Sequence, residues 1–463
     1  MAKSACTVVC FTRSLSLLFT VFAMSLDFYL ELAVVLASIF IGARFNGVGL
    51  GIWGGVGLFV LAVVFGVTPT SPPVDVLLII LAVVTAAATM DAAGGIDFLV
   101  QVAERIIRAN PKNITIVAPL VTWLFTFMSG TGHIVYPLLP VIYETAIAAG
   151  IRPERPMAVA TIASQQSITA SPVSAATAAM LGLLALQPEW AEWGLAEILL
   201  VCVPSTLFGV ILASIVSFGI GANLADDPDY QARLKAKLIL PAKPFSYRQT
   251  LPATAHRSAL IFLIGVAIVV LTGFYPELRT LPGQTQPLGM ATVLEVFMLV
   301  VSATILVVCH PDINKIASVP TMRAGIVAMV GIFGLAWLGD SFVAEHQKAI
   351  LLTCGELVQN QPWTFAFVLF AVSVLLYSQA ATARAVMPIG IAMGLPPATL
   401  IGMFPAVNGY FFIPTYGSLV AAISFDLSGT HIGRYVLNHS FMLPGLVATV
   451  TAVATGLGIS AVL

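Results

Sequence analysis

Apolar runs long enough to cross a lipid bilayer recur along this chain from Asp27 to Leu463. A bilayer core about 30 Å thick requires a helix of about 20 mainly apolar residues. Only 9% of the residues are charged, against roughly 25% in soluble domains. The chain is therefore predicted to be an all-α polytopic membrane protein. Simple spans are predicted at residues 27–43, 47–66, 74–90, 195–221, 258–275, 290–309, 323–339 and 435–460.

Several classes of function are disfavoured by what the chain lacks. The formal net charge is −1, and no basic patch is interleaved with aromatic residues, so nucleic acid is not an expected partner. The five cysteines are scattered, with no CxxC pair and no grouping with histidine. We therefore expect no disulfide framework, metal site or cofactor. No catalytic constellation is recognised, which argues against a membrane-embedded enzyme.

The first residues are set apart from the rest of the chain. Lys3 and Arg13 flank a short apolar stretch that superficially resembles a signal peptide. The preferred interpretation is a functional start at Met24, with residues 1–26 as a leader or a mis-annotated extension.

Two apolar blocks are interrupted by polar, glycine and proline residues where a simple span would be uninterrupted. In the first block, two short arms flank the tip SGTGH, which predicts a hairpin at residues 114–149. A helix at 155–186 then breaks at SQQSITASP, because proline removes a backbone donor and clashes with the preceding turn. The second block repeats this order, with a hairpin at 363–394 and a broken helix at 396–425. Arms of about 15–17 residues are short for a span, so both hairpins are predicted to be re-entrant.

This repetition predicts a transporter built from two inverted repeats, at residues 27–221 and 258–463, joined by a basic cytoplasmic loop at 222–257. If the first span starts outside, most of the 20 lysines and arginines face the cytoplasm, as the positive-inside rule favours. The second hairpin then enters from the face opposite to the first. We expect alternating access by one moving transport domain against a scaffold, with both chain termini in the periplasm.

The hairpin tips and helix breaks are predicted to meet near the membrane midplane and form the substrate site. Free backbone N–H groups and the positive dipole ends of short helices bind carboxylates without a cationic side chain. Glycine at a tip allows a ligand to approach the backbone closely. The candidate substrate-binding residues are Ser129, Gly130, Thr131, Gly132, His133, Gln165, Gln166, Thr169, Ser171, Ser174, Gln379, Thr382, Arg384, Asn408, Gly409, Thr415 and Tyr416.

Two of these candidates are ionisable residues at membrane depth. Arg384 is expected to line the cavity and to hold one substrate carboxylate. A charge at membrane depth is costly unless it has a partner, and such charges usually mark functional sites. The alternative is an arginine that snorkels or pairs inside the protein. For His133, substrate binding, proton relay and a hydrogen bond to a neighbouring helix remain open alternatives. About half of the serine and threonine candidates are expected to bond their own backbone instead.

Four segments carry a resemblance to a known family. They lie at residues 81–89, 129–133, 150–156 and 163–172 and read LAVVTAAAT, SGTGH, GIRPERP and ASQQSITASP. These segments resemble those of the anaerobic C4-dicarboxylate transporter (Dcu) family, over nearly the whole chain from about Met24. The chain also resembles, more distantly, the ion-transporter superfamily of dimeric elevator carriers. The Ser-Asn-Thr tips of that superfamily correspond loosely to residues 129–131 and 380–382, and neither tip here has the asparagine.

The resemblance implies transport of fumarate, succinate, malate and aspartate across the bacterial inner membrane, typically in fumarate respiration. It also implies a homodimer in membrane lipid, with contact to a sensor kinase as a further expectation. The absence of the tip asparagine disfavours a sodium site like that of the superfamily and favours antiport. A sodium- or proton-coupled dicarboxylate symporter is the alternative, and a membrane-embedded enzyme is a weaker one.

Overall fold

The computed structural model describes residues 26–45, 48–190, 192–239, 251–376, 378–414, 416–429 and 438–463. The extension at residues 1–25, part of the loop at 222–257 and the candidate Thr415 lie outside the described residues.

The regular elements of the described residues are helices, with no β-strand among them. The first ten are α1 Leu26–Phe45, α2 Gly49–Val60, α3 Val74–Ala92, α4 Gly95–Ala109, α5 Ile114–Ser129, α6 Val135–Ala148, α7 Glu154–Gln166, α8 Ala175–Ala185, α9 Leu195–Ser217 and α10 Pro228–Lys235. The remainder are α11 Ala255–Phe274, α12 Met290–Cys309, α13 Ile313–Ile316, α14 Pro320–Asn360, α15 Phe365–Leu376, α16 Gln379–Ala392, α17 Pro397–Met403, α18 Gly417–Phe425 and α19 Met442–Ser460.

Six helices of the described chain are long and apolar enough to cross a membrane. They are α3, α9, α11, α12, the part of α14 from Pro320 to His346, and α19. The all-helical architecture of a polytopic membrane protein is thus confirmed.

Helix α14 is longer than the span predicted at residues 323–339, since it runs for 41 residues. The apolar pattern marked only part of it. The helix continues through Glu345 and Lys348, which are good helix formers, and Pro362 follows shortly after its end. Helix α14 therefore extends beyond the apolar stretch from which the span was predicted.

Glycines bring α14 close to two of its neighbours. A Cβ added to Gly51 of α2 would overlap the carbonyl oxygen of Val330, and one added to Gly334 would overlap the carbonyl oxygen of Gly51. The two backbones touch, which is the usual role of small residues at helix crossings in membranes. On the α3 side, Gly325 packs in the same way against the side chain of Val84. Helix α14 is thus packed against the helices of the N-terminal segment.

Four shorter helices lie within the predicted hairpins. Helices α5 and α6 have 16 and 14 residues, and α15 and α16 have 12 and 14. At about 1.5 Å per residue these lengths are about 18–24 Å, less than the thickness of a bilayer core. Gly130 ends α5 in the left-handed conformation, with φ of 72°. Its amide bonds to Thr126 and the chain reverses at that point.

Both predicted broken helices are interrupted in the structure. Helix α7 passes into a 3-10 turn, Ser167–Thr169, and the chain is irregular before α8 begins. Helix α17 passes into the 3-10 turns Phe404–Val407 and Gly409–Phe411 before α18. Pro172 and Pro414 lie in these irregular stretches, where they cannot continue a helix. The interruptions leave new helix N-termini at α8 and α18.

The loop after α9 is tied back to the turn after α6. Asp227 caps α10 by accepting a hydrogen bond from the backbone N–H of Tyr230, at 2.9 Å. Its other carboxylate oxygen accepts a bond from Nη1 of Arg152, at 2.7 Å. Arg155 donates to the carbonyl oxygens of Ile220 and Gly221. These bonds fix the chain that leaves α9 against the start of α7.

We expect Asp227 to stabilise the folded protein at neutral pH and to lose this contribution in acid. The backbone N–H of Tyr230, followed by the guanidinium of Arg152, lowers the pKa of the Asp227 carboxyl against the opposing effect of desolvation. Stability from a carboxyl with a lowered folded pKa is complete above the unfolded value of about 3.9 and is lost as the pH falls through the folded value. The measurement compares thermal midpoints of the wild type and Asp227→Asn in detergent. Their difference should shrink below about pH 4, and a difference independent of pH would contradict the expectation.

Candidate functional site

A cavity of about 640 Å³ lies where the hairpins, the helix breaks and α14 meet. This volume falls within the roughly 300–1,000 Å³ typical of small-molecule sites. Its lining residues are Leu50, Gly130, Thr131, Gly132, His133, Tyr136, Gln165, Ile168, Ala175, Ala176, Pro320, Arg323, Ala324, Val327, Ala328, Gly331, Leu376, Ser378, Gln379, Ala380, Ala381, Tyr416 and Gly417.

Besides the first turn of α14, four helical N-termini of the described chain open onto this cavity. They belong to the 3-10 turn Gly132–Ile134 that continues into α6, and to α8, α16 and α18, each of which contributes first-turn residues to the lining. Two of the four follow a hairpin tip, and two follow a helix break. Because free N–H groups and a partial positive charge collect at each such end, their convergence favours an anionic ligand.

Short polar side chains fix these ends locally. Oγ of Ser174 accepts the backbone N–H of Thr177 at 3.0 Å, and Oγ of Ser378 accepts that of Ala381 at 3.2 Å. Thr131 accepts the N–H of His133 at 3.3 Å. Serine and threonine are favoured N-caps because their oxygen satisfies one otherwise free donor. The other N–H groups of a first turn have no acceptor within their own helix.

The basic side chains of the lining are those of Arg323 and His133. Arg323 reaches the cavity from the first turn of α14, and the ring of His133 stacks on that of Tyr136 with 5.7 Å between centroids. No aspartate or glutamate of the described residues lines the cavity. The electrostatics therefore oppose a cation and favour a carboxylate.

A chain of buried amides links the first helix break to the second tip and the second break. Nε2 of Gln379 donates to Oε1 of Gln165 at 3.0 Å and to Oδ1 of Asn408 at 3.2 Å. Nδ2 of Asn408 donates to Oε1 of Gln166 at 3.2 Å, and Nε2 of Gln166 donates to Thr449 at 2.7 Å. Gln165 and Gln379 line the cavity, so the buried partners orient amides that face a ligand.

The predicted site residues fall into two groups. Those that line the cavity are Gly130, Thr131, Gly132, His133, Gln165, Gln379 and Tyr416. Those that lie behind the lining are Ser129, Gln166, Thr169, Ser171, Ser174, Thr382, Arg384, Asn408 and Gly409. The assignment of either group to substrate binding stays a prediction.

Hydroxyl groups behind the lining bond to backbone carbonyls. Thr382 donates to the carbonyl oxygen of Ser378 in its own helix, at 2.8 Å. Ser171 donates to that of Phe127 at 2.7 Å and so joins the first break to α5. The bond to Phe127 satisfies a carbonyl group in the last turn of α5, whereas the Ser378 carbonyl already accepts the backbone N–H of Thr382.

Glycines at the first tip allow it to pack directly on the first break. A Cβ at Gly130 would overlap the carbonyl oxygen of Val173, and one at Gly132 would overlap the side-chain amide of Gln165. At the second break, the N–H of Gly409 donates to Ser373 at 2.8 Å. The glycines thus hold tip and break together, and at Gly132 and Gly130 they also face the cavity.

Arg384 is fully buried and pairs inside the protein. Its Nη2 donates to Oδ2 of Asp340 on α14 at 3.0 Å. Only 1% of the Arg384 side chain is exposed. Its Nε and Nη1 have no hydrogen-bond partner among the described residues. The internal pairing that the sequence left open as an alternative is therefore present.

The sequence reasoning missed Arg323 and Asp340. The positive-inside rule places Arg323 among the cytoplasmic residues, and a single sequence offers no signal that a helix end faces a cavity rather than solvent. Asp340 gave a signal, because it is an acidic residue beside the apolar stretch of α14 and an acid there requires a partner.

The comparison with known families decides the identity. The family model described as anaerobic C4-dicarboxylate membrane transporter matches residues 27–463. The chain belongs to this family. The resemblance seen in the sequence is thereby confirmed, and the protein is a multi-pass membrane transporter rather than an enzyme.

Curated members of the anaerobic C4-dicarboxylate transporter family align along most of their length. The anaerobic C4-dicarboxylate transporter DcuB of Escherichia coli O6:H1 is 41% identical over 431 residues, covering 91% of this chain and 95% of that protein. The C4-dicarboxylate transporter DcuA of Wolinella succinogenes is 39% identical over 434 residues, covering 94% and 99%. Among solved structures, the YdaH transporter of Alcanivorax borkumensis has a TM-score of 0.52 at 13% identity, covering 95% and 98%, and shares the fold.

Proposed function

We propose that this protein carries C4-dicarboxylates such as fumarate, succinate, malate and aspartate across the bacterial inner membrane. Family membership supports this substrate class, because relatives at about 40% identity bear the name of C4-dicarboxylate transporters. The observation in the structure that carries the proposal is the convergence of helix N-termini, Arg323 and His133 on one cavity without an acidic lining residue among those described. Such a cavity suits a dianion.

In this proposal, the helix ends hold the substrate carboxylates and the amides of Gln165 and Gln379 provide further donors. A carboxylate has about four acceptor sites, more than one helix end satisfies. Several ends and amides around one cavity meet that demand. Asn408 and Gln166 then act as positioning residues for the two amides.

The order of hairpin and broken helix supports two inverted repeats. Each half supplies a tip followed by a helix start and a break followed by a helix start. We propose that these elements form a mobile transport domain, with both hairpins re-entrant, which moves against a scaffold to expose the cavity on alternate faces. A homodimeric scaffold, periplasmic termini and contact with a sensor kinase belong to the same proposal.

Antiport follows from the charge of the cavity. Without a ligand, the helix N-termini of the transport domain carry uncompensated partial positive charge, which is costly to move across a membrane. A bound dianion offsets that charge, so the loaded carrier crosses more readily than the empty one. A sodium- or proton-coupled symporter is the rival mechanism.

The test is efflux of labelled succinate from proteoliposomes with sodium, pH and voltage gradients clamped at zero. The proposal expects efflux only when fumarate is present outside. Efflux that depends on sodium or protons without external fumarate would replace antiport by symport. Absence of efflux with every counter-substrate and ion, in protein that is shown to be folded, would overturn the substrate assignment.

A further inference from the structure

Arg323 differs from the other anion-binding groups of the cavity in the element that carries it. The four N-termini at the tips and breaks belong to the two hairpin and broken-helix segments. Arg323 belongs to α14, whose glycines pack it against α2 and α3. Helix α14 also contacts α16 through the Asp340–Arg384 pair, so it closes one side of the cavity and contributes Arg323 to the lining.

The other arginine near the cavity, Arg384, does not line it. Arg384 is buried behind the lining, and its guanidinium is already paired with Asp340. The Arg323 side chain is exposed within the lining, so its planar fork can meet a carboxylate with two parallel hydrogen bonds. A helix N-terminus carries only about half a positive charge. Arg323 therefore offers a second carboxylate a full positive charge on a helix other than those of the four tip and break N-termini.

We propose that Arg323 binds the second carboxylate of the substrate and so selects dicarboxylates over monocarboxylates. This inference rests on the proposed function. Because Arg323 and the four tip and break N-termini lie on different helices, the full set of contacts forms only when α14 faces the tips, as it does in this structure. Discrimination between one and two carboxylates is therefore a property of this arrangement of the helices.

The test measures uptake of labelled fumarate into fumarate-loaded proteoliposomes, with succinate and its monoamide, succinamate, as competitors. For Arg323→Gln we expect the half-inhibitory concentration of succinate to rise about tenfold, as for loss of a charge-assisted bond. That of succinamate should change less than about twofold. The KM for fumarate should rise while the maximal rate per folded carrier stays within about twofold. Arg323→Lys, which keeps the charge without the fork, should lie between wild type and Arg323→Gln.

The matched control is Arg257→Gln, which removes the same charge at an exposed position of α11 that does not line the cavity. It should leave both competitors unchanged. Equal weakening of succinate and succinamate by Arg323→Gln, or no weakening, would overturn the inference. Wild-type protein that is folded yet transports no dicarboxylate would instead overturn the proposed function, so the two failures are distinct.

Discussion

Replacing Asp340 with alanine should destabilise the protein strongly, by about 3–5 kcal/mol, because it leaves a buried arginine without its counter-charge. The Arg384 side chain is 1% exposed, and Asp340 supplies its hydrogen bond. The Nε and Nη1 groups of Arg384 already have no partner among the described residues. No second acceptor there can replace Asp340 as the partner of the guanidinium. The measurement is the thermal midpoint and the fraction of folded protein in detergent.

The double variant Asp340→Ala/Arg384→Leu should recover much of that loss, since removing both members of a buried pair is far less costly than removing one. Glu345→Ala is the matched control, as it removes an exposed carboxylate from the same helix and should have little effect. A double variant as unstable as Asp340→Ala would show that the pair is not the source of the effect.

The same double variant separates the two roles that the sequence left open for Arg384. If Arg384 only joins α16 to α14, the folded double variant should exchange fumarate for succinate near the wild-type rate. If Arg384 also holds a substrate carboxylate through its unpartnered nitrogens, the folded double variant should have lost exchange. Initial rates per folded carrier in proteoliposomes distinguish these outcomes.

Replacing Asn408 with leucine should lower the kcat/KM of dicarboxylate uptake by about 10- to 100-fold. The substitution removes one acceptor from Gln379 and one donor from Gln166. A buried polar group that loses its partner costs about 1–3 kcal/mol, and each 1.4 kcal/mol or so is a factor of about ten. Part of that cost falls on Gln379, which faces the cavity and is then held by its bond to Gln165 without the second bond to Asn408.

Asn314→Leu serves as the control, because it makes the same chemical change at an exposed position. Membrane abundance and thermal midpoint are measured in parallel, so that uptake is expressed per folded carrier. Unaltered uptake by folded Asn408→Leu protein would mean that the amide network does not position the site. A loss confined to abundance would mean that Asn408 supports folding alone.

Local chemistry in the sequence located the interruptions of this fold. Gly130 ends α5 where the tip was predicted, and Pro172 and Pro414 lie in the irregular stretches between helices. These features depend on residues within a few positions of each other, since a proline or a left-handed glycine acts on its own turn. The helix starts at the tips, and with them the partial positive charge that faces the cavity, could for that reason be anticipated.

The tertiary contacts of the side chains could not be predicted from the local sequence. Ser171 bonds a carbonyl 44 residues away, and Arg384 pairs with Asp340 in another helix. The positive-inside rule places Arg323 among the cytoplasmic residues, whereas in the structure it lines the cavity. Each of these outcomes depends on how helices distant in sequence are placed beside each other.

The sequence by itself determined the membrane as solvent, the family and the positions of the glycine and proline interruptions, because apolar length, proline and glycine act locally. The tertiary structure decided which polar groups face the cavity and which are satisfied behind it. Packing brings α14 against the hairpin segments, and the resulting cavity receives Arg323 while burying Arg384 against Asp340. Buried polar groups form hydrogen bonds with the partners that the fold places near them. A single sequence does not say which residues those partners are.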